Sequence, residues 1–305
     1  MTIRESTEMH DQRYAKGVVL VLIAGCFWSI AGLVVRLMHD ASEWQILFYR
    51  SLALVITLLV YIGLKNRGYL FRTFQQAGLY AVLAGAFLSV GFACWIFAMT
   101  HTTIANALFV LSAAPFLAAV FARLFIGEQV KPSTWLYMLL ASSGVAVMVG
   151  EGAAVGTLAG NLFALSAATG FAAFTVTLRK GKAVDMTPAV CWAGIWAALI
   201  GAIMLFGTQP GFTISTHDVL LCGLLGFVQV GMGLILFTAG SRYVPAAEIT
   251  LLSLTEVVLG PIWVWLGVGE TPSQLTLLGG AIVLIAIIAQ AVHGVRKQRL
   301  PVGVV

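Results

Sequence analysis

The sequence predicts an all-α polytopic membrane protein: ten transmembrane helices arranged as two inverted five-helix repeats. Composition gives the class. Of 305 residues, 60% are hydrophobic and only 10% are charged, whereas a soluble domain carries roughly 25% charge. A mean hydropathy of +0.98 leaves too little polar surface to coat a soluble globule, and a disordered chain lacks such apolar groups to bury. The second observation is ten separate apolar runs, each close to the ~20 residues that ~30 Å of hydrocarbon requires. The third is an internal duplication with five runs in each copy. The 32 glycines suit helices that approach closely in lipid through small residues.

Polar clusters, Gly and Pro divide the chain into runs at 17–38, 42–64, 75–99, 102–125, 132–150, 156–178, 187–207, 216–239, 246–268 and 273–294. Residues 1–16 form a polar tail whose Glu5, Glu8 and Asp11 are too acidic for the start of a signal peptide. The first run is therefore read as a retained helix. Connections such as His101-Thr102 are so short that neighbouring spans must run antiparallel. The resulting units are the tail 1–16, a first repeat 17–150, a second repeat 156–294 and a tail 295–305.

Orientation follows from the cations. Fifteen of the 17 Lys and Arg residues fall at one set of span ends: the two tails, Lys65–Arg72, Arg123 with Lys131, Arg179–Lys182 and Arg242. The other side receives Arg36, and Arg50 lies inside the second span. Positive charge marks the cytoplasmic side, which places both termini there and puts Ser42, Thr157 and Thr271 outside. This distribution also accounts for the basic pI without any nucleic-acid partner.

The duplication is visible at two junctions. Gly127-Glu128 closes the fourth run before Pro132, and Gly269-Glu270 closes the ninth before Pro272. Proline in a first helical turn costs nothing, because its missing N–H would be unpaired there. The openings also match, Gly17 with Phe27-Trp28 against Gly160 with Gly170-Phe171. A five-span unit has odd parity, so the second copy is inverted, as in secondary transporters. Glu128 is then cytoplasmic and Glu270 external.

These marks resemble the drug/metabolite transporter superfamily, EamA type. The likeness runs over residues 17–294 and is carried by Gly160-Asn-Leu-Phe-Ala-Leu-Ser-Ala-Ala, Thr175-Val-Thr-Leu-Arg179, both Gly-Glu…Pro junctions and Leu47-Phe-Tyr-Arg50. Overall likeness is greatest to the YddG-type aromatic amino acid exporters. The resemblance implies a 5+5 bundle exporting amino acids or related metabolites across the bacterial inner membrane.

Chemistry is sparse. The four cysteines sit inside apolar runs with no CxxC spacing, so neither a disulfide framework nor a metal site is expected. His10, His39, His101, His217 and His293 all lie in tails or at helix ends. No Walker loop, HExxH or dinucleotide fingerprint occurs, so neither a cofactor nor catalysis is expected. Intramembrane charge is the best pointer to function, because each such group costs several kcal/mol (~2.5–3.5) unless paired or hydrated. Arg50 lies ~12 Å into the second span and Glu256 ~15 Å into the ninth. Each can be a cavity group or a structural one, and the two could pair with each other.

Further cavity candidates at matching depth are Trp28, Tyr49, Trp95, Asn106, Ser112, Phe171, Thr175 and Gln229. Pro115 and Pro261 are candidate hinges, since an interior proline removes a helical hydrogen bond. The expected activity is export of neutral amino acids, aromatic ones included, by alternating access. Aromatics would meet the side chain, and Arg50 or amide groups the carboxylate. The alternatives are export of another small amphipathic metabolite or drug, an intramembrane enzyme, and a lipid scramblase. The expected partners are that solute and membrane lipid. Nothing in the chain bears on oligomeric state, and a monomer is compatible with the expected activity.

Overall fold

The computed structural model describes residues 3–102, 104–150, 157–206, 211–269 and 271–298. Glu270 and the 151–155 connection lie outside them. Among the described residues every regular element is a helix. Ten helices are long and apolar enough to cross a membrane. They are span 1 (Gln12–Arg36), span 2 (Glu43–Lys65), span 3 (Leu70–Ala98), span 4 (Asn106–Ile126) and span 5 (Pro132–Val149), followed by span 6 (Leu158–Lys180), span 7 (Thr187–Phe206), span 8 (Thr216–Gly240), span 9 (Ala246–Val268) and span 10 (Gln274–Val295). Span 3 starts five residues before the expected 75, with a kink at Gly78.

Local chemistry sets the ends. Ser42 and Gln45 form a reciprocal capping box at the start of span 2, which satisfies two of the helix's orphan backbone donors. Thr157 and Ser215 cap spans 6 and 8 by a single bond each, accepting from Gly160 N and Asp218 N. Spans 4 and 9 both end on a left-handed glycine, Gly127 at φ 66° and Gly269 at φ 76°. Only glycine enters that region without a Cβ penalty, so the duplicated Gly of the junctions has a backbone cause.

The interruptions of the two halves also coincide. Span 4 breaks at Ser112-Ala113, between the helical stretches Ile104–Leu111 and Ala114–Ile126. Span 9 breaks at Leu254, between Ala246–Ser253 and Thr255–Val268. Counted back from Gly127 and Gly269, Ser112 and Leu254 occupy the same position. In each case the chain tightens into i−3 hydrogen bonds, Ala113 N to Val110 O and Leu254 N to Leu251 O. Neighbouring hydroxyls cap carbonyls of the preceding turn: Ser112 Oγ donates to Phe109 O, and Ser253 Oγ to Thr250 O. Pro115 is the second residue of the stretch after its break. Pro261 lies inside Thr255–Val268, seven residues past the break in span 9.

Span packing obeys the duplication. Spans 5 and 10, 2 and 7, and 4 and 9 pack as equivalent pairs. Span 1 packs on span 8 as span 6 packs on span 3, and span 2 on span 8 as span 7 on span 3. Gly17 lies against Tyr243 and Gly240 at the end of span 8, and Gly160 against His101 and Thr102 at the end of span 3. Small residues let these backbones touch.

One end of the bundle is tied by charge. Arg179 pairs with Glu128 at 3.0 Å and donates to the carbonyls of Ser241 and Arg242. Glu248, buried at the start of span 9, accepts from Tyr14 Oη at 2.6 Å and lies 3.6 Å from Lys131. Lys65 and Asp185 pair at 2.7 Å at the same end.

Candidate functional site

Between spans 1, 2, 3, 4, 6, 8 and 9 lies a cavity of about 270 Å³. Its lining runs from Leu88, Leu234 and Thr250 deep in the bundle to Val35 and Glu43, away from the charge-tied end. Besides the broken span 4, which contributes Leu111 and Ala114, three interrupted or distorted helices shape it. Span 1 is interrupted just after Trp28, span 9 at Leu254, and span 8 is π-helical over Leu225–Met232. Irregular backbone at membrane depth is tolerated where it lines a cavity.

Arg50 is 8% exposed and lines this space. Its guanidinium carbon stands 4.8 Å from the centroid of Phe92, a cation–π contact that offsets part of the desolvation. Its Nη2 is buried and has no hydrogen-bond partner among the described residues. Glu43 and Glu256 face the same cavity. Among the described residues neither forms a salt bridge with Arg50, so the Arg50–Glu256 pair considered from the sequence is not formed here. Glu256 sits in the first turn after the span-9 break, where the exposed N–H groups and the helix dipole favour negative charge.

Trp28 is 8% exposed. Its indole meets Phe171 edge-on at 5.8 Å and Phe237 at 5.2 Å. At the helix interruption the Trp28 carbonyl accepts from Gln229 Nε2 at 3.3 Å, while Gln229 Oε1 is buried without a partner among the described residues. Glycines of span 8 make room for both key residues. A Cβ on Gly233 would collide with the Trp28 indole, and one on Gly226 with the Arg50 carbonyl. The cavity therefore combines one buried cation, two carboxylates, an unpaired amide oxygen and aromatic walls.

Of the ten cavity candidates in the sequence, the fold brings together Trp28, Arg50, Trp95, Phe171, Gln229 and Glu256. Four stand elsewhere. Tyr49 donates to the Phe212 carbonyl, and Asn106 bonds Thr102 and Asn161. Ser112 and Thr175 are buried and bond carbonyls of their own helices. Glu43, Phe92, Thr250 and Ser253 also line it. Thr250, Ser253 and Glu256 recur at three-residue spacing, a one-face polar pattern visible in the sequence; Phe92 carries no such signal among 18 phenylalanines.

A ten-helix bundle with discontinuous helices around a central, partly polar cavity defines a membrane transporter. The profile of the EamA-like transporter family matches residues 15–150 and 158–290, and the chain belongs to that family. It is similar to the pseudopaline exporter CntI of Pseudomonas aeruginosa, 23% identical over 277 residues, covering 90% of this chain and 95% of the relative. It is similar as well to a riboflavin transporter of Rhizobium johnstonii, 22% identical over 305 residues and covering 97% of each. Protein RarD of Escherichia coli is 25% identical over 235 residues, 76% of this chain and 74% of that protein. A solved crystal structure shares the fold with a TM-score of 0.77 at 20% identity, covering 93% of this chain and 99% of the other.

Proposed function

We propose that this transporter exports neutral amino acids, aromatic ones included, across a bacterial inner membrane by alternating access. The observation that carries the reading is Arg50: a buried guanidinium with an unpartnered Nη2, facing a cavity walled by Trp28, Phe92, Trp95 and Phe171. A carboxylate would take the free donor in a charge-assisted bond. Glu256, on the same cavity, would receive an ammonium group, and the aromatic walls would take the side chain. At about 270 Å³ the space lies just below the ~300–1,000 Å³ of typical ligand pockets, which suits a solute of amino acid size. With the basic span ends cytoplasmic, the charge-tied end is the inner one, and this conformation faces outward.

The relatives support a second reading, a larger metabolite, since their named cargoes are pseudopaline and riboflavin. The test is a competition panel on protein reconstituted in liposomes, run with and without a pH gradient. Labelled phenylalanine flux that unlabelled neutral amino acids suppress, and that Arg50→Gln lowers by about tenfold or more, supports the proposal. Flux suppressed by riboflavin and indifferent to amino acids replaces it with the second reading.

A further inference from the structure

His39 follows the first span and His217 opens the eighth, yet their imidazoles stack with centroids 4.6 Å apart and 11° between planes. Asp218 lies beneath them. Its carboxylate is fully buried, and accepts His39 N and Asp40 N at 3.2 Å each, while His217 Nδ1 stands 3.1 Å from Oδ1. We propose that His39, His217 and Asp218 form a binding site for a divalent transition-metal ion, at the end of the bundle toward which the cavity extends.

The donor set selects the metal. Two imidazoles and one carboxylate suit zinc, copper or nickel, whereas calcium and magnesium require several oxygen ligands. One nitrogen from each ring and one carboxylate oxygen all lie within 4.8 Å of one another. A tetrahedral ion with bonds of ~2.0–2.1 Å needs its ligands about 3.3 Å apart. Turning the rings about their outer torsion closes that gap, and this torsion is broad for histidine. The His217 side chain is 51% exposed, so its ring has room to turn. Asp218 does not need to move. Two backbone N–H groups hold it in place, and a carboxylate has about four lone-pair positions, so it can ligate while still anchoring the His39 loop. A fourth position remains open to water.

The site joins the two halves, because His39 belongs to the span 1–2 connection and His217 and Asp218 to span 8. An ion bound here favours the conformation in which these elements are close, and slows any cycle that separates them.

The experiment uses tag-free, chelator-stripped protein in detergent, titrated with zinc by calorimetry and with cobalt by visible absorption. One ion per chain is expected, with a d–d spectrum of tetrahedral intensity. His39→Gln and His217→Gln each weaken binding by about tenfold or more, whereas His101→Gln leaves it unchanged. His39 lies in a connecting loop, so its variant reports binding even if the His217 variant elutes as aggregate. The proposal is overturned by absence of binding up to ~1 mM zinc, or by wild-type affinity in the His39 variant. The readout involves no transport, so it is independent of which cargo the protein carries.

Discussion

Asn106 and Glu248 occupy the same place in the two halves, each twenty-one residues before the glycine that closes its span. Asn106 bonds Thr102 and Asn161 at the start of span 6; Glu248 accepts from Tyr14 at the start of span 1 and faces Lys131. The inverted repeat thus puts a polar fastening at each end of the bundle, neutral at one and charged at the other.

The charged fastening predicts a coupled energy. Glu248→Gln keeps an oxygen for Tyr14 but removes the charge; bonds to charged groups are worth ~1.5–3 kcal/mol against ~0.5–1.5 for neutral ones. A double-mutant cycle with Tyr14→Phe, read by reversible detergent unfolding, should return a coupling of about 1–2 kcal/mol. Additive losses would show that the 2.6 Å bond adds nothing beyond packing.

Trp28 predicts a selective defect. Its ring contacts are with Phe171 and Phe237, and it lines the cavity. Trp28→Ala should lower phenylalanine and tryptophan flux by ~2- to 12-fold more than threonine flux, the equivalent of ~0.5–1.5 kcal/mol of aromatic contact. An equal fall for all three would assign Trp28 to packing alone.

Glu256 predicts how transport is driven. Glu256→Gln keeps size and hydrogen bonding and removes the titrating group. If the carboxylate carries a proton, the variant loses accumulation driven by a pH gradient while exchange of labelled for unlabelled amino acid persists. Accumulation to the wild-type ratio would rule the residue out as the carrier.

Asp185 predicts acid sensitivity outside the membrane. Burial on its own would raise its pKa, but hydrogen bonds from Lys65 and Thr187, with the Lys65 charge, outweigh it and hold the carboxyl below its ordinary 3.8. A depressed folded pKa contributes stability that is present above the unfolded value and lost as pH falls through the folded one. Wild-type protein should therefore lose thermal stability below about pH 4. Asp185→Asn should be less stable at neutral pH and flatter in that window; parallel curves would exclude the Lys65 pair as a source of the dependence.

The ten spans were legible because hydropathy and length act along the chain, where a sequence can be read directly. The Gly-Glu…Pro duplication was legible for a similar reason: a left-handed C-cap requires glycine whatever the surroundings. Depth was legible too, and it pointed to Arg50 and Glu256. Rotation about each helix axis was not. Thr175 has the right depth but donates to the Phe171 carbonyl of its own helix, and depth alone does not announce that. The interruption of span 9 was likewise hidden. Pro261 drew attention, whereas the chain breaks at Leu254, where Ser253 and Thr255 hydroxyls cap carbonyls of the preceding turn. Gly233 carries no signal of its own, because its use, clearing space for an indole, depends on a helix from the other half.

The placement of Gly226 against the Arg50 carbonyl separates two tasks that many binding sites entangle. The Arg50 backbone is positioned by main chain meeting main chain, and Phe92 is the one wall residue that the guanidinium itself stands over. Trp28, Trp95 and Phe171 can then be exchanged for other shapes while the helix crossing and the Arg50–Phe92 contact stay where they are. A scaffold built this way can change cargo through a handful of wall substitutions without being refolded. Its intolerant positions would be span-8 glycines that never touch the solute.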